Sequence, residues 1–457
     1  MSASTEAGAR SAPRSSGYGR GAGVLSVGIG VTGLVTYAYF SLSSYALSPT
    51  EYGAITLLWS AVFVTVSVLY RPVEQLLSRT IADRDARGQS GTGHLRVAAT
   101  IQLALGVGFA AVALALRGPI ENDLLGGSPT LYWVLIVAVL AYAASYFARG
   151  FLAGHRRFGL YGGLVLMESI SRCLFAVAVV VGIASGQAVA ALGIAAAPIV
   201  SLAVVPWALG RRMHARGDPT APGGAEPSVA IEATEAVEPR AEGGSSDAEF
   251  TLAHGGGFAA AVLVVMVCEQ TFLNAGPLLV KATEGARGTA LAGFVFNVLL
   301  VARAPLQLFQ AVQTSILPHL TRLRAGGEID PFRRSINLTL KAIAAFAALV
   351  ALVMLAFGPA LMDLFFGGDL DYARGGLVLV ALGMGLYLAA ATLNQAALAR
   401  AQARAAAACW AGTAAAFVTF LLGWRFEDRV LQVEIGFVGA AGLLCLLLGG
   451  LYRAGER

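Results

Sequence analysis

The sequence has few charged residues, and this shortage excludes most soluble proteins. Only 13% of its 457 residues are Asp, Glu, Lys or Arg, against roughly 25% in a soluble domain. Its 4 cysteines and 5 histidines show neither a disulfide framework nor metal-ligand spacing. The phosphate-binding pattern Gly-x4-Gly-Lys-Ser/Thr is absent. We therefore expect no ATP motor, metal, cofactor or catalytic centre, and hence no enzyme.

Long apolar runs occupy most of the chain. Hydrophobic residues make up 57% of it, and the mean hydropathy is +0.70. A helix that crosses a bilayer needs about 20 apolar residues. The runs of that kind are 22–46, 53–76, 96–117, 131–150, 159–183, 187–209, 255–280, 289–316, 334–357, 373–398, 405–423 and 431–452. The fold class predicted is an all-α integral membrane protein with about 12 transmembrane helices.

The basic residues predict how this chain sits in the membrane. The net charge of +5 comes mainly from arginines in alternate short loops. Positive loops stay on the cytoplasmic side, so we expect both termini in the cytoplasm and a multi-pass protein of a cytoplasmic membrane, of bacterial type. Because the basic residues flank apolar runs, we expect no nucleic-acid partner.

One long polar stretch divides the chain. Residues 211–252 are rich in Gly, Pro, Glu and Ser and poor in aromatics, a composition typical of disorder. The predicted organisation is a cytoplasmic tail (1–21), a six-helix lobe (22–210), a disordered cytoplasmic linker (211–252), a second lobe (253–452) and a short cytoplasmic tail (453–457).

Two short matches indicate that the lobes are repeats. Residues 71–75 (RPVEQ) match 303–307 (RAPLQ), and 118–124 (GPIENDL) match 358–364 (GPALMDL). The matches occur in the same order at a nearly constant offset. Six helices separate the copies, so the two lobes are parallel and are related by an axis along the membrane normal. We expect them to surround a central cavity.

Glu269 is the acidic residue nearest the centre of a predicted span. A charge there costs about 2.5–3.5 kcal/mol on insertion scales, so it calls for a function or a partner. Gln270 and Asn274 form an i, i+4 pair beside it. We interpret Glu269 as an ion-coupling residue that faces the cavity. The alternative is a carboxyl group satisfied by a neighbouring helix or kept protonated.

The eighth span has a polar stripe. Arg303, Gln307 and Gln310 share one helical face, and Asn297 lies nearer the other end of the span. Lipid cannot satisfy these groups. Arginine binds phosphate in a bidentate manner, and amides hydrogen-bond sugars. The stripe therefore predicts a site for an anionic, hydroxyl-rich ligand, with hydrogen bonding between helices as the alternative.

The second and fifth spans contain further candidates. Arg71, Glu74 and Gln75 end the second span and are the repeat mates of the Arg303 region, although Arg71 could equally extend its charge to the interface. Glu168 and Arg172 lie i, i+4 on the fifth span, which predicts a structural ion pair between them. No metal-binding residues are predicted.

Three segments resemble those of a known family, the polysaccharide flippases of the multidrug/oligosaccharidyl-lipid/polysaccharide exporter superfamily. They are residues 47–53 (LSPTEYG), 71–79 (RPVEQLLSR) and 150–158 (GFLAGHRRF). The resemblance extends over nearly the whole chain. It implies a V-shaped pair of lobes around a cavity lined by the first, second, seventh and eighth helices, which opens alternately to each side.

The resemblance also implies a substrate and partners. Members of this family move polyprenyl-pyrophosphate-linked oligosaccharides across the membrane for polysaccharide biosynthesis. The expected partners are this lipid-linked oligosaccharide, membrane lipids, a proton or Na⁺, and polysaccharide-assembly proteins. The alternatives are a cation-coupled multidrug exporter of the same superfamily, a membrane-embedded glycan polymerase or ligase (disfavoured by the short outer loops), and a non-transporting scaffold of a polysaccharide assembly complex.

Overall fold

The computed structural model describes residues 18–86, 91–155, 157–202, 252–301, 329–367, 371–400 and 402–454. The predicted site residues Arg303, Gln307 and Gln310 lie outside these ranges. So does the predicted linker, apart from Leu252, which begins a helix instead.

The first half of the chain (18–202) forms seven α-helices and a short π-helical turn. They are α1 (Tyr18–Ala46), α2 (Pro49–Leu69), α3 (Arg71–Ala86), α4 (Gly93–Ala115), the π turn (Pro119–Leu124), α5 (Pro129–Gly154), α6 (Phe158–Val180) and α7 (Gln187–Ser201). The second half (252–454) contains α8 (Leu252–Glu284), α9 (Gly288–Val301), α10 (Ile329–Phe366), α11 (Arg374–Ala399), α12 (Ala403–Gly423) and α13 (Arg429–Ala454).

The helices confirm the predicted fold class. Within the described residues, each predicted span overlaps one helical segment, because α2 and α3 together form a single span, Pro49–Asp85. Within the described ranges, 9 helices are long and apolar enough to cross a membrane. Two of them, α4 and α10, have only 22% and 17% of their most apolar stretch buried. Apolar surface of that extent on a helix is suited to lipid rather than to water.

Local sequence signals set the helix starts at several loops. Ser48 accepts a hydrogen bond from the Glu51 amide, and the Glu51 side chain accepts one from the Ser48 amide, which is a capping box at the start of α2. Ser128 caps α5 by accepting from the Leu131 amide. Pro49 and Pro129 follow their caps at the first helical position, where the missing N–H costs nothing.

The second span is interrupted at Tyr70, next to a proline that removes a hydrogen bond. Tyr70 ends α2 by donating its amide to the Val66 carbonyl, and α3 restarts at Arg71. Pro72 lacks an N–H and its ring crowds the preceding turn. The sequence places this interruption immediately beside Arg71.

Within each half the helices pack as one bundle. In the first half α6 packs against α1 and α7, and α5 against α3 and α7; in the second, α11 packs against α10 and α13, and α12 against α8 and α13. The halves meet where α2 packs on α8 and α1 on α10. We name the end where α1 starts and α13 finishes the terminal end, and the opposite end the distal end.

The distal ends of the two halves are joined by hydrogen bonds. Ser41 Oγ donates to the Phe365 carbonyl at 2.5 Å and Tyr45 Oη to the Leu364 carbonyl at 2.6 Å. These carbonyls belong to the last turn of α10, whose acceptors have no partner within the helix. Side chains of α1 therefore cap α10 from the other half.

Candidate functional site

Arg71 lies between the two halves of the molecule. It begins α3 in the first half and is partly buried. Its strongest electrostatic neighbour is the Glu269 carboxylate in the second half, followed by Tyr146, Glu74 and Tyr161. Carboxylates of both halves therefore act on this guanidinium, while the sequence left a charge extended to the interface as an equal alternative.

Glu269 reaches Arg71 from α8. It lies 15 residues before Glu284, the end of that helix, which is about 22 Å at 1.5 Å per residue and places it well inside the bilayer. The Tyr387 hydroxyl of α11 lies near its carboxylate. Glu269 thus acts electrostatically on one residue of its own half and on Arg71 of the other half.

Glu74 lies one helical turn after Arg71 on α3. Tyr161 Oη of α6 donates to Glu74 Oε1 at 3.0 Å. The two positive charges that act on Glu74 are Arg149, which is the stronger, and Arg71. Glu74 therefore links the interface to the interior of the first half.

Glu168 is buried within the first half and pairs with Arg149. Arg149 Nη2 of α5 donates to Glu168 Oε2 of α6. Ser145 and Ser201 donate to the other oxygen, Oε1, the latter at 3.4 Å. The carboxylate has donors on both oxygens, which is what a buried charge requires.

The predicted ion pair between Glu168 and Arg172 is wrong in its partner. The hydrogen bonds of Arg172 go to neutral hydroxyls of Ser169, Thr36 and Tyr142 at 3.3–3.5 Å. Its guanidinium carbon lies 4.2 Å from the centre of the Trp59 ring, a cation–π contact. Glu168 pairs instead with Arg149 of the facing helix α5. The i, i+4 spacing within α6 could not reveal an arginine that comes from another helix.

These residues form an array of alternating charge, which we call the charge array. It runs from the first half into the second. Its members are Arg172, Glu168, Arg149, Glu74, Arg71 and Glu269. The three arginines balance the three glutamates, so this low-dielectric region carries no net charge, which limits the cost of removing six ions from water.

The array is most open at the interface between the halves. Glu168 and Arg172 are each 3% exposed, whereas Arg71, Glu74 and Glu269 are partly exposed. A ligand that enters between the halves meets the last three first. A guanidinium there can bind phosphate or carboxylate, and a carboxylate there can bind a cation or a proton.

The other predicted residues that the structure describes lie in three places. Asn274 Nδ2 donates to Gln270 Oε1 at 3.2 Å, and both side chains are buried within the second half. Asn297 lies toward the distal end, between Tyr52 and Tyr372. Gln75 is partly buried on α3 next to Glu74.

Sequence reasoning missed four members of the site's surroundings. Arg149 was not named as a candidate, yet it lies inside α5 with its side chain 12% exposed. Tyr146, Tyr161 and Tyr387 were not singled out, because an aromatic residue in a span is ordinary. Among these four residues only Arg149 gave a usable signal, because it is a charged residue within the apolar run of α5, close to Ser145 and Tyr146.

Comparisons with solved structures show which fold this arrangement belongs to. No family model and no curated protein matches the sequence. A mutant of the Vibrio cholerae MATE transporter VcmN is 17% identical over 97% of this chain and 98% of that one, with a TM-score of 0.60. An inward-facing multidrug resistance MATE family transporter of the MOP superfamily is 14% identical over 94% and 93%, at 0.58. The eukaryotic MATE transporter AtDTX14 is 14% identical over 95% of each chain, at 0.56.

The chain has the MATE transporter fold. The similarity covers nearly the full length of both chains, so the two-lobe architecture is shared as a whole and not only as a local motif. At these identities the comparison establishes architecture and leaves the chemistry to the residues of this chain.

Proposed function

We propose that this protein is a secondary transporter of the alternating-access type that moves a polyprenyl-pyrophosphate-linked oligosaccharide across the cytoplasmic membrane for polysaccharide biosynthesis. The supporting observation is the position of Arg71, a partly exposed guanidinium between the two halves. A pyrophosphate offers the paired oxygens that a guanidinium binds best. Both termini would lie in the cytoplasm, so the terminal end would face the substrate.

The fold makes the transport cycle physically reasonable. The distal ends are held together by a small set of hydrogen bonds, and Arg71 and Glu269 attract each other across the halves nearer the terminal end. Rocking of one half against the other would break one set while the other persists. Gln75, Gln270, Asn274 and Asn297 would serve as amide partners for sugars during this movement, together with Arg303, Gln307 and Gln310.

The test is leaflet exchange of a fluorescent polyprenyl-pyrophosphate oligosaccharide in liposomes that contain the purified protein. Arg71→Ala should lower the exchange rate at least tenfold. Arg79→Ala is the matched control, since Arg79 is exposed on the same helix, and it should retain the wild-type rate. Equal loss in both variants, or none in either, would contradict a role of Arg71 in substrate binding. Absence of exchange by well-folded wild type would favour a scaffold role.

A second candidate is a cation-coupled multidrug exporter. It is favoured by the acidic members of the charge array, because Glu74 and Glu269 are partly exposed and each lies near a tyrosine, which suits an organic cation. Efflux of a fluorescent organic cation from cells, abolished by Glu269→Gln but retained in Arg71→Ala, would support this function over the first.

A further inference from the structure

Arg172 is buried inside the first half, and no described carboxylate forms a hydrogen bond or an ion pair with it. It lies 14 residues after Phe158, the start of α6, which is about 21 Å at 1.5 Å per residue and places it well inside the bilayer. Only 3% of Arg172 is exposed. Glu168, one helical turn earlier, pairs with Arg149 instead. Because an uncompensated buried charge is costly, Arg172 calls for an anion from another source.

The charge array is balanced as a whole but not within the first half. Its members in that half are three arginines and two glutamates, namely Arg71, Arg149, Arg172, Glu74 and Glu168. The third glutamate, Glu269, belongs to α8 in the second half. Of the three arginines, Arg172 is the one that is fully buried. The first half therefore has one surplus positive charge in the array, and its most buried cation is Arg172.

The surroundings of Arg172 contain more hydrogen-bond donors than acceptors. A guanidinium has five N–H groups. Those of Arg172 reach the hydroxyl oxygens of Ser169, Thr36 and Tyr142 at 3.3–3.5 Å, which is longer than the usual length of about 2.9–3.0 Å. Its Nε has no partner in the part of the chain that the structure describes. The hydroxyls are donors as well, and among the described residues they share a single further hydrogen bond, between Thr36 and Ser169.

The donors meet at the edge of the guanidinium. Trp59 of α2 covers one face, with its ring centre 4.2 Å from the guanidinium carbon. The N–H groups lie in the guanidinium plane, so this ring leaves them available at the edge. The hydroxyls there come from three helices, since Thr36 belongs to α1, Tyr142 to α5 and Ser169 to α6. An acceptor held at this edge would therefore join these three helices.

We propose that Arg172 binds a monovalent anion of chloride size, with its N–H groups and the hydroxyls of Thr36, Tyr142 and Ser169 as donors. One negative charge matches the one surplus positive charge of the first half, whereas a divalent anion exceeds it in a region of low dielectric. A water molecule accepts hydrogen bonds but is neutral and leaves the charge uncompensated. The site is separate from Arg71, so the proposal does not depend on the proposed substrate.

The experiment is a titration of the full-length protein in nanodiscs with sodium bromide, at an ionic strength kept constant with sodium gluconate, while tryptophan fluorescence is recorded. Bromide quenches an excited indole on contact, and Trp59 lies against Arg172. Wild type should show a saturable component of quenching in addition to the linear, collisional quenching of exposed tryptophans. Sodium chloride should compete with bromide and remove the saturable component. Linear quenching alone would overturn the proposal.

Three variants assign the saturable component to this site. Arg172→Met should lose it because the site is removed, and Trp59→Phe should lose it because the reporter is removed. Arg117→Met is the matched control, since Arg117 also lies near a tryptophan ring, that of Trp133 at 5.9 Å, but pairs with Glu121. This control should keep the saturable component. Its persistence in Arg172→Met or in Trp59→Phe would place the bound anion elsewhere and contradict the assignment.

A second measurement does not depend on the folding of Arg172→Met. An anion that binds only the folded state stabilises it. The thermal unfolding midpoint should therefore be higher in sodium bromide or sodium chloride than in sodium gluconate at the same ionic strength. Trp59→Phe retains the donors and should show the same rise as wild type. An equal midpoint in the three salts would show that the hydroxyls alone satisfy Arg172, and the proposal would be wrong.

Discussion

Tyr52 and Asn297 join the two halves of the molecule near the distal end. The Tyr52 hydroxyl of α2 donates to Asn297 Oδ1 of α9, and Asn297 Nδ2 donates to the Tyr372 hydroxyl at 3.1 Å. All three side chains are buried. We call these residues the distal junction. Because the Asn297 amide is hydrogen-bonded on both sides, its orientation is fixed. The junction therefore holds α2 against α9 and the segment before α11.

Loss of the Asn297 amide should loosen the distal end. In Asn297→Ala, two buried tyrosine hydroxyls lose their partner, which costs about 1–3 kcal/mol for each group left unsatisfied. We expect faster deuterium uptake in residues 41–53 and 363–373, measured by hydrogen-exchange mass spectrometry.

The matched control for the distal junction is Asn394→Ala. Asn394 is also buried, but it accepts from Trp410 Nε1 at 3.1 Å within the second half. The Asn394→Ala variant should leave deuterium uptake in residues 41–53 and 363–373 unchanged. Similar increases in both variants would show that the effect is general destabilisation and not release of the junction.

A methyl group at Gly53 should force the halves apart. A Cβ at this position would lie 1.9 Å from the Thr289 carbonyl oxygen, which is backbone and cannot move alone. Overpacking of this kind costs about 1–3 kcal/mol, so Gly53→Ala should lower the thermal unfolding midpoint measured by intrinsic fluorescence.

Gly108→Ala provides the comparison for Gly53. Gly108 lies in α4 with nothing within 4 Å of the added Cβ, and alanine favours a helix by about 1 kcal/mol over glycine. Its midpoint should stay constant or rise. If Gly53→Ala were as stable as Gly108→Ala, the close approach of α2 and α9 would be wrong.

The pair of Arg149 and Glu168 should show strong coupling in a double-mutant cycle. Arg149→Met leaves Glu168 buried with serine donors only, and an uncompensated buried charge costs about 3–5 kcal/mol. Adding Glu168→Gln should restore most of that stability, because the charge disappears with its partner. Additive losses in the thermal midpoint would contradict a direct pair.

The distal junction should not respond to pH in the neutral range. Burial, opposed in part by the Asn297 hydrogen bond, raises the pKa of Tyr372 to about 12. The pKa of Tyr372 in the folded protein exceeds the ordinary value of about 10. The neutral Tyr372 hydroxyl therefore stabilises the junction fully below pH 10, and this stabilisation is lost as pH rises toward 12. Deuterium uptake in residues 366–373, corrected for intrinsic exchange, should be constant from pH 6 to 9.

The sequence predicted the helices well because the membrane restricts what a chain can do. A span must be apolar and long, and it must satisfy its own backbone. The capping box of Ser48 and Glu51 and the Ser128 cap are local signals of the same kind. The parallel arrangement of the halves follows from the number of spans between the repeated segments.

The site was predicted only in part, since its contacts join residues far apart in the chain. Arg71, Glu74, Glu168, Arg172 and Glu269 were recognised because charges in apolar runs are conspicuous. Their partners were not recognised. The facing helix α5 supplies Arg149 to Glu168 of α6, and only the packing of α5 against α6 brings Arg149 there.

The sequence by itself determined the class of protein, the number of spans and which charges had to be accounted for, because each of these depends on composition and local periodicity. The tertiary structure decided how the charges pair. It placed Arg71 opposite Glu269 across the two halves and Arg172 against Trp59. Pairing depends on which helix faces share a low-dielectric interior, and that is a property of the packed bundle that no single segment contains.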